Sequence, residues 1–230
     1  MSSRFAGIFL DFYGTLVGGD REAVEGICAD IVSSHGLACC PSELAIEWGV
    51  NFFAQIERAN DHAFRSLLEC ERRSLHRTLS NRGVWIDPAP YVHQLQAYWR
   101  KPRLFPDVAG ALASCHLPIC LVSNVDRADL QAALDEVGLE FDYVVTSEDA
   151  KSYKPHPGIF QYALQMTGWP ADRVLHVGDS LHSDVGGALG CGLRTAWLDR
   201  PGRISDVGTC ASHYRMEVLN QLAYVIGGNG

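Results

Sequence analysis

One short segment near the N-terminus constrains the fold of this chain more than any other. The apolar run GIFL at positions 7–10 ends in Asp11, and a Gly-Thr turn with Gly14 follows at once. A short, wholly apolar run is typical of a parallel strand that is buried on both faces. Ligands of open α/β sheets bind beyond the carboxyl ends of such strands, so Asp11 lies where chemistry is expected. Taken alone, the segment is equally consistent with Asp11 acting only as a turn cap.

Composition excludes several classes of function. The 230 residues carry a formal net charge of −8 and include no strongly basic stretch, which argues against nucleic-acid binding. No apolar run reaches the ~18 residues that span a bilayer, and the first strand begins too early to leave room for a signal peptide. The 8 cysteines form no Cys-x-x-Cys pair, so a structural zinc site has little support. We therefore expect a cytoplasmic protein with reduced thiols and no membrane partner.

The pattern after the first strand is helical. Residues from about 20 to 100 predict a small bundle of short amphipathic helices, which begin near Asp20, Pro41, Asp61 and Pro88. Asp20 is the expected N-cap of the first of these helices. A proline-rich stretch at positions 101–106 then interrupts the helical pattern and marks a boundary.

Alternating strands and helices follow that boundary. Further strands are predicted at 117–123, 141–146, 173–177 and 194–198, the last as the final strand of the core. Repeated βα units imply an α/β fold, a doubly wound parallel sheet of the Rossmann-like kind. The predicted core comprises residues 1–16 and 104–230, and the small α-helical cap comprises residues 17–103. An insertion at this edge of the sheet has the position of a lid that excludes water.

Carboxylates recur at the predicted strand ends. Asp179 ends a strand, and Asp184 lies near the start of the next helix. Two carboxylates without a cation would repel each other, which indicates a bound metal. Because the pattern offers oxygen ligands, Mg²⁺ suits it better than zinc.

Positive and neutral polar groups complete the pattern. Lys154 would pair with Asp11 or with an anionic group of a substrate. We prefer Lys154 to Lys151 because it directly precedes a proline. Ser123, at another strand end, and the helix-start amides after it would hold an anion.

The motifs occur in one order: D-x-x-G-T-L at 11–16, S-N at 123–124, K-P at 154–155 and G-D-S-x-x-x-D at 178–184. This order resembles the haloacid dehalogenase-like hydrolase superfamily over essentially the whole core, including a helical cap inserted after the first motif. The resemblance implies a covalent mechanism in which a carboxylate attacks phosphorus and forms an aspartyl-phosphate. The attacking group would be Asp11.

The resemblance also implies the roles of the other motif residues. Mg²⁺ would be held by Asp11, the backbone carbonyl of Tyr13, Asp179 and Asp184. Thr15, Ser123 and Asn124 would bind the substrate phosphoryl group, and Lys154 would neutralise charge on Asp11 and on phosphate.

Tyr13 departs from the phosphatase pattern. Phosphatases of this superfamily usually carry a second Asp at that position as general acid and base, a function that contributes ~10²–10⁴-fold. The 2-haloacid dehalogenases of the superfamily have Tyr there and need no metal. A tyrosine with a reference pKa of ~10 is a poor base at neutral pH, so water or His182 would have to substitute. The residue is nonetheless a candidate for the catalytic set.

Three functional hypotheses follow. The first is a Mg²⁺-dependent phosphohydrolase of a small phosphorylated metabolite, which Asp179 and Asp184 favour. The second is a metal-independent 2-haloacid dehalogenase that forms an ester on Asp11, which Tyr13 favours. Such enzymes bind the substrate carboxylate partly with a cap arginine, and positions 37–57 contain none. The third is a catalytically impaired homologue that still binds metal and phosphate.

The histidines near the motifs have less decided roles. His176 lies inside an apolar strand and is predicted to be a packed core residue. His156 and His182 lie in motif loops, where structural and functional roles are equally consistent with the sequence.

Overall fold

The central strand of the molecule is β1 (Gly7–Leu10), which is buried along its whole length. In the computed structural model, which describes residues 4–200 and 210–227, it lies inside a six-stranded sheet. The other strands are β4 (Ile119–Ser123), β5 (Tyr143–Thr146), β6 (Val174–Gly178), β7 (Arg194–Leu198) and β8 (Tyr214–Met216). The strand order is β5-β4-β1-β6-β7-β8, and all pairings in this sheet are parallel.

Both faces of the sheet are covered, as expected for a doubly wound fold. Successive side chains of a strand point to opposite faces. Ile8 and Leu10 accordingly join one apolar cluster, and Phe9 joins another with Phe160. The helices of this part are α5 (Val108–Ser114), α6 (Arg127–Val137), α7 (Ser147–Ala150), α8 (Pro157–Thr167), α9 (Gly187–Gly190) and α10 (Leu222–Gly227). The predicted α/β Rossmann-like class is therefore confirmed.

Four helices lie between residues 19 and 102 and form the predicted bundle: α1 (Asp20–His35), α2 (Pro41–Ile56), α3 (Leu67–Asn81) and α4 (Ala89–Arg100). One predicted cap and one predicted start were wrong. Gly19, with a φ of 105°, is the N-cap of α1, and Asp20 is its first helical residue. The segment Asp61–Ala63 forms only a 3₁₀ turn.

The start of α3 is set by contacts that sequence periodicity does not reveal. Ser66 caps the helix locally, since its Oγ accepts a hydrogen bond from Glu69 N at 3.2 Å. The carboxylate of Asp126 then accepts hydrogen bonds from Leu67 N at 2.8 Å and Leu68 N at 3.2 Å. Backbone donors at a helix start need acceptors. The carboxylate of Asp126, the residue before α6, therefore fixes where α3 begins.

A two-stranded antiparallel ribbon lies where the chain leaves and re-enters the sheet region. It consists of β2 (Val17–Gly18) and β3 (Arg103–Leu104). Strands of two residues are too short to show a period-2 pattern, so the sequence did not predict them. The predicted boundary at 16/17 falls just before β2, and that at 103/104 falls within β3. The division into core and cap stays a prediction.

The end of the sheet differs from expectation. The strand predicted to be the last, β7, is followed by β8, which pairs with it in register Ala196↔Tyr214. The helix predicted from Asp184 is a π-helical turn, Leu181–Gly186, that continues into α9.

Positions 1–3, 201–209 and 228–230 of the predicted core lie outside the described residues. Among described helices, none is long and apolar enough to cross a membrane.

Candidate active site

The predicted site residues lie at one edge of the sheet. Asp11 follows β1, Ser123 ends β4, and Asp179 follows β6. Because β1 lies between β4 and β6 in a parallel sheet, the carboxyl ends of these strands are neighbours. Lys154, from the loop before α8, joins the same place.

Asp11 is almost fully buried, with 5% of its surface exposed. Its Oδ1 accepts hydrogen bonds from Lys154 Nζ at 2.6 Å and from Ser123 Oγ at 3.4 Å. Its Oδ2 accepts one from Thr15 Oγ1 at 2.9 Å. Burial raises the pKa of Asp11, and the positive charge of Lys154 opposes that rise. The carboxylate is therefore held in one orientation by three side chains.

Lys154 bridges two carboxylates. Its Nζ donates to Asp11 Oδ1 and to Asp184 Oδ1, both at 2.6 Å. Burial lowers the pKa of Lys154, but the charges of Asp11 and Asp184 outweigh burial and hold that pKa above its usual value. Lys151 points elsewhere, with its Nζ 4.9 Å from the ring centre of Phe64. The structure thus places Lys154, and not Lys151, beside Asp11.

Asn124 contacts backbone rather than the space in front of Asp11. Its Nδ2 donates to the carbonyl of Lys154 at 3.0 Å, and its Oδ1 accepts from Lys154 N at 2.7 Å. Both ends of the amide are therefore used to hold the loop that carries the lysine. The predicted substrate-binding role of Asn124 is not what this geometry indicates, because the side chain positions Lys154 instead.

Three carboxylates converge at this edge. Oxygens of Asp11, Asp179 and Asp184 lie within 4.8 Å of one another. Glycines permit the approach: a Cβ at Gly14, whose φ is 83°, would overlap the carboxylate of Asp179, and one at Gly178 would overlap that of Asp184.

This donor set fits Mg²⁺. Carboxylate oxygens are the ligands that the ion prefers. Lys154 contributes one positive charge against three carboxylates, so a divalent cation would complete the charge balance. That the backbone carbonyl of Tyr13 also serves as a ligand stays a prediction.

Asp184 is fixed from two sides. Its Oδ1 accepts from His176 Nε2 at 3.0 Å as well as from Lys154, and its Oδ2 accepts from Ser180 N at 3.0 Å. Burial raises the pKa of Asp184, but Lys154 and His176 together outweigh it and hold that pKa well below its usual range. Asp184 is therefore an ionised, oriented carboxylate.

His176 is the site residue that sequence reasoning missed. It is buried as predicted, with 1% exposed, but its Nε2 also contacts Asp184. Within residues 4–200 and 210–227, its Nδ1 has no hydrogen-bond partner. An imidazole inside the otherwise apolar run VLHVG was the available signal, since a buried polar ring needs a partner.

The hydroxyl of Tyr13 contacts α4 rather than Asp11. It donates a hydrogen bond to the carbonyl of Trp99 at 2.7 Å. Burial, followed by the negative charge of Asp129, raises the pKa of Tyr13 above its usual value. The predicted catalytic role of this side chain is therefore at odds with its position, because its proton is already engaged and is hard to remove.

The two motif-loop histidines face the same segment at the end of α2. His156 accepts at Nδ1 from Gly158 N at 3.4 Å, and so caps α8, while its Nε2 lies 4.0 Å from Asp61. The Nε2 of His182 lies 4.0 Å from Glu57. Beside them a cleft of about 170 Å³ leads to Lys154; its lining comprises Ile56, Glu57, Asn60, Tyr153, Lys154, Pro155 and His156.

Comparison with known proteins identifies the family of the chain. The model of the haloacid dehalogenase-like hydrolase family matches residues 5–192. Human haloacid dehalogenase-like hydrolase domain-containing protein 3 is 31% identical over 198 residues, which cover 76% of this chain and 74% of that protein. Pyrimidine 5'-nucleotidase YjjG of Escherichia coli K12 is 38% identical over 109 residues, or 44% of this chain. The chain thus spans about half of the nucleotidase, at 48% of its length.

Among solved structures, L-2-haloacid dehalogenase from Xanthobacter autotrophicus superposes with a TM-score of 0.79 at 21% identity. That match covers 98% of this chain and 100% of the dehalogenase, and at this identity it demonstrates a shared fold. The family model that matches residues 5–192, with the 31% identity to the human protein, shows that the chain belongs to the haloacid dehalogenase-like hydrolase family.

Proposed function

We propose that this hydrolase is a Mg²⁺-dependent phosphohydrolase of a small phosphorylated metabolite, with Asp11 as nucleophile. The observation that carries the proposal is the convergence of Asp11, Asp179 and Asp184 within 4.8 Å. Buried carboxylates are costly unless cations balance them. Displacement of a halide from carbon needs no such arrangement, whereas phosphoryl transfer uses metal-bound carboxylates routinely.

Asp11 is oriented for attack on phosphorus. One carboxylate oxygen forms a bond to phosphorus while the bond from phosphorus to the leaving oxygen breaks, which gives an aspartyl-phosphate. Water then attacks phosphorus, the Asp11–phosphate bond breaks, and inorganic phosphate is released. A bound Mg²⁺ would supply positive charge next to the phosphoryl oxygens. Ser123 Oγ and Lys154 Nζ, both on Asp11 Oδ1, are close enough to share those oxygens.

The placement of Tyr13 determines which step is slow. Because its hydroxyl donates a hydrogen bond to the carbonyl of Trp99, the side chain of Tyr13 offers no base to activate water. General base catalysis contributes ~10²–10⁴-fold where it operates, so hydrolysis of the aspartyl-phosphate is expected to be slower than its formation. The engaged hydroxyl of Tyr13 also offers no proton to a leaving group. Substrates whose leaving group needs little protonation, such as acyl phosphates, are therefore favoured.

A 2-haloacid dehalogenase is the second candidate, and Tyr13 itself is the observation that favours it. Such a reaction needs a positive group for the carboxylate of the substrate. Lys154 already shares its charge between Asp11 and Asp184, at 2.6 Å from each. A substrate carboxylate would therefore compete with two carboxylates of the protein for one ammonium, which disfavours this chemistry.

The test measures both products. Phosphate release from p-nitrophenyl phosphate and acetyl phosphate is measured with Mg²⁺ and with EDTA, and halide release from 2-chloropropionate is measured in parallel. We expect phosphate release that EDTA abolishes, that Asp179→Asn removes, and that the exposed control Asp172→Asn leaves unchanged. Halide release in EDTA, or metal-independent phosphate release, would overturn the proposal.

A further inference from the structure

We propose that Arg200 is a positioning residue that holds the β2–β3 ribbon and the loop of Asp11 in one geometry. Arg200 follows β7, far in sequence from both. Its side chain is 10% exposed, although it carries a charge. Charged side chains are rarely that buried unless they are paired, so the contacts of the guanidinium identify what it holds. The activity readout below rests on the proposed phosphohydrolase function, and the exchange readout does not.

The first contact is with the loop of the nucleophile. Arg200 Nη2 and Nε both donate to the carbonyl of Thr15, at 2.7 and 3.2 Å. The hydroxyl of the same threonine donates to Asp11 Oδ2 at 2.9 Å. One residue therefore connects the guanidinium to the attacking carboxylate.

The second contact is with the segment between β3 and α5. Arg200 Nη1 donates to both carboxylate oxygens of Asp107, at 3.1 and 3.2 Å. Asp107 Oδ2 also accepts from Leu219 N at 2.5 Å, so the carboxylate is itself anchored to the segment before α10. The guanidinium carbon lies 3.8 Å from the ring centre of Phe105, which is cation–π contact.

Phe105 connects these contacts to the ribbon. Its backbone N–H donates to the carbonyl of Leu16 at 3.0 Å. Its ring occupies the space that a side chain at Gly18 would need. The outgoing strand β2 and the incoming strand β3 are thus both packed next to the ring that lies against Arg200.

Only a planar fork makes these contacts together. A guanidinium presents several N–H groups in fixed directions and stacks on an aromatic ring, whereas an ammonium is a compact point charge. Replacement by Lys keeps the charge and loses the simultaneous grip on Thr15, Asp107 and Phe105. Because a displacement of about 1 Å of a reacting group costs up to ~10²-fold in rate, loosening the Thr15 carbonyl should be visible in turnover. Arg200 itself touches no reacting atom.

The test compares Arg200→Lys with Arg215→Lys. Arg215 is a matched control, since it also pairs with an aspartate, Asp199, and lies 5.4 Å from the ring centre of Trp197, but is 63% exposed. Turnover, KM, Tm and hydrogen exchange at positions 15–18 and 103–107 are measured. We expect Arg200→Lys to lower kcat ~10-fold or more, to leave KM within about threefold, and to increase exchange at both ranges. Arg215→Lys should change none of these.

Rescue separates positioning from general destabilisation. Guanidinium ion at low millimolar concentration should restore part of the kcat of Arg200→Ala, and methylammonium should not. Unchanged kcat and unchanged ribbon exchange in Arg200→Lys would overturn the inference. So would increased exchange spread evenly over the whole sheet, because that is loss of fold stability. If the wild-type protein releases no phosphate, the proposed function fails, and exchange at the ribbon still decides the role of Arg200.

Discussion

The hydroxyl of Tyr13 donates a hydrogen bond to the backbone carbonyl of Trp99 across 2.7 Å. This contact ties the residue two positions after Asp11 to the last turn of α4, which ends at Arg100. Tyr98 of the same turn donates to the carbonyl of Gly18 at 3.1 Å. The position where the resemblance to phosphatases would place an acid–base group thus attaches a helix of the bundle to the loop that follows β1.

Removing only the hydroxyl of Tyr13 should therefore affect stability more than turnover. Tyr13→Phe loses one half-buried hydrogen bond, worth ~1 kcal/mol, and we expect Tm to fall by about 2–4 °C. The rate of phosphate release should stay within about threefold, because the hydroxyl donates to the carbonyl of Trp99 rather than to Asp11. A loss of activity without a change in Tm would show that the hydroxyl takes part in the reaction.

Introducing a carboxylate at the same position should accelerate the slow step. Tyr13→Asp is expected to raise steady-state phosphatase turnover ~10-fold or more, since it supplies a general base. Tyr13→Asn matches its shape without the basic oxygen and is the control. Equal rates for the Asp and Asn variants would contradict the assignment of water activation as the missing function.

His176 should act on the metal affinity of the site. His176→Phe removes the hydrogen bond to Asp184, and outer-shell contacts of this kind typically change metal affinity ~10–100-fold. We expect the Mg²⁺ concentration for half-maximal activity to rise ~10-fold or more, with direct Mg²⁺ titration by calorimetry giving the same shift. His176→Gln, which retains a donor nitrogen, should lie closer to wild type. A Phe variant with unchanged Mg²⁺ dependence would refute this role.

Glu71 should make stability depend on pH. It is 8% exposed on α3, and burial, with a further contribution from Asp20, raises the pKa of Glu71 to about 8. The unfolded chain ionises near ~4.3, so folding is penalised increasingly as pH rises from there to about 8 and by a constant amount above it. Glu71→Gln should have a Tm close to wild type at pH 4 and at least ~3 °C above it at pH 8.

The neighbouring Glu69 should give stability the opposite dependence on pH. Hydrogen bonds from Arg72 and Arg73 lower the pKa of Glu69, so its contribution to stability is present at neutral pH and lost in acid. Glu69→Gln should therefore reduce Tm slightly at pH 8. If Glu71→Gln also reduced Tm at pH 8, the hydrogen bonds that Glu71 receives, such as that from Ser74 Oγ, would outweigh the cost of its burial.

Gly178 is expected to tolerate no side chain. A Cβ there would overlap the carboxylate of Asp184, so Gly178→Ala should displace that group and abolish the response of activity to Mg²⁺. Gly190→Ala is the control, because among the described residues a Cβ at Gly190 would meet no atom within 4 Å outside its own helix backbone and chain neighbours. Circular dichroism would establish that both variants fold. If Gly178→Ala kept the Mg²⁺ dependence of the wild-type protein, the response to Mg²⁺ would not depend on the present position of the Asp184 carboxylate.

The features that sequence predicted well depend on local pattern. The strand before Asp11 and the end of β6 follow from short apolar runs, because both faces of a parallel strand are buried. Parallel order then brings their ends together without further information.

Other features depend on partners distant in the chain. The Tyr13 hydroxyl binds a carbonyl 86 residues away, and α3 begins where Asp126 accepts its first N–H groups. The short strand β8 and the contact of His176 with Asp184 likewise exist only in the folded molecule. Periodicity carries no signal for such contacts. The only sequence signals were a polar residue in an apolar strand, His176, and an unusual residue near the nucleophile, Tyr13.

Trapping the covalent intermediate tests the central claim most directly. The protein is mixed with acetyl phosphate and Mg²⁺, quenched in acid within the first turnovers, digested and analysed by mass spectrometry, with Asp11→Asn and EDTA as controls. Because Tyr13 supplies no base, we predict that phosphate accumulates on Asp11, only with Mg²⁺ and only when Asp11 is present. Phosphate release in the steady state without any phosphorylated Asp11 would contradict the account.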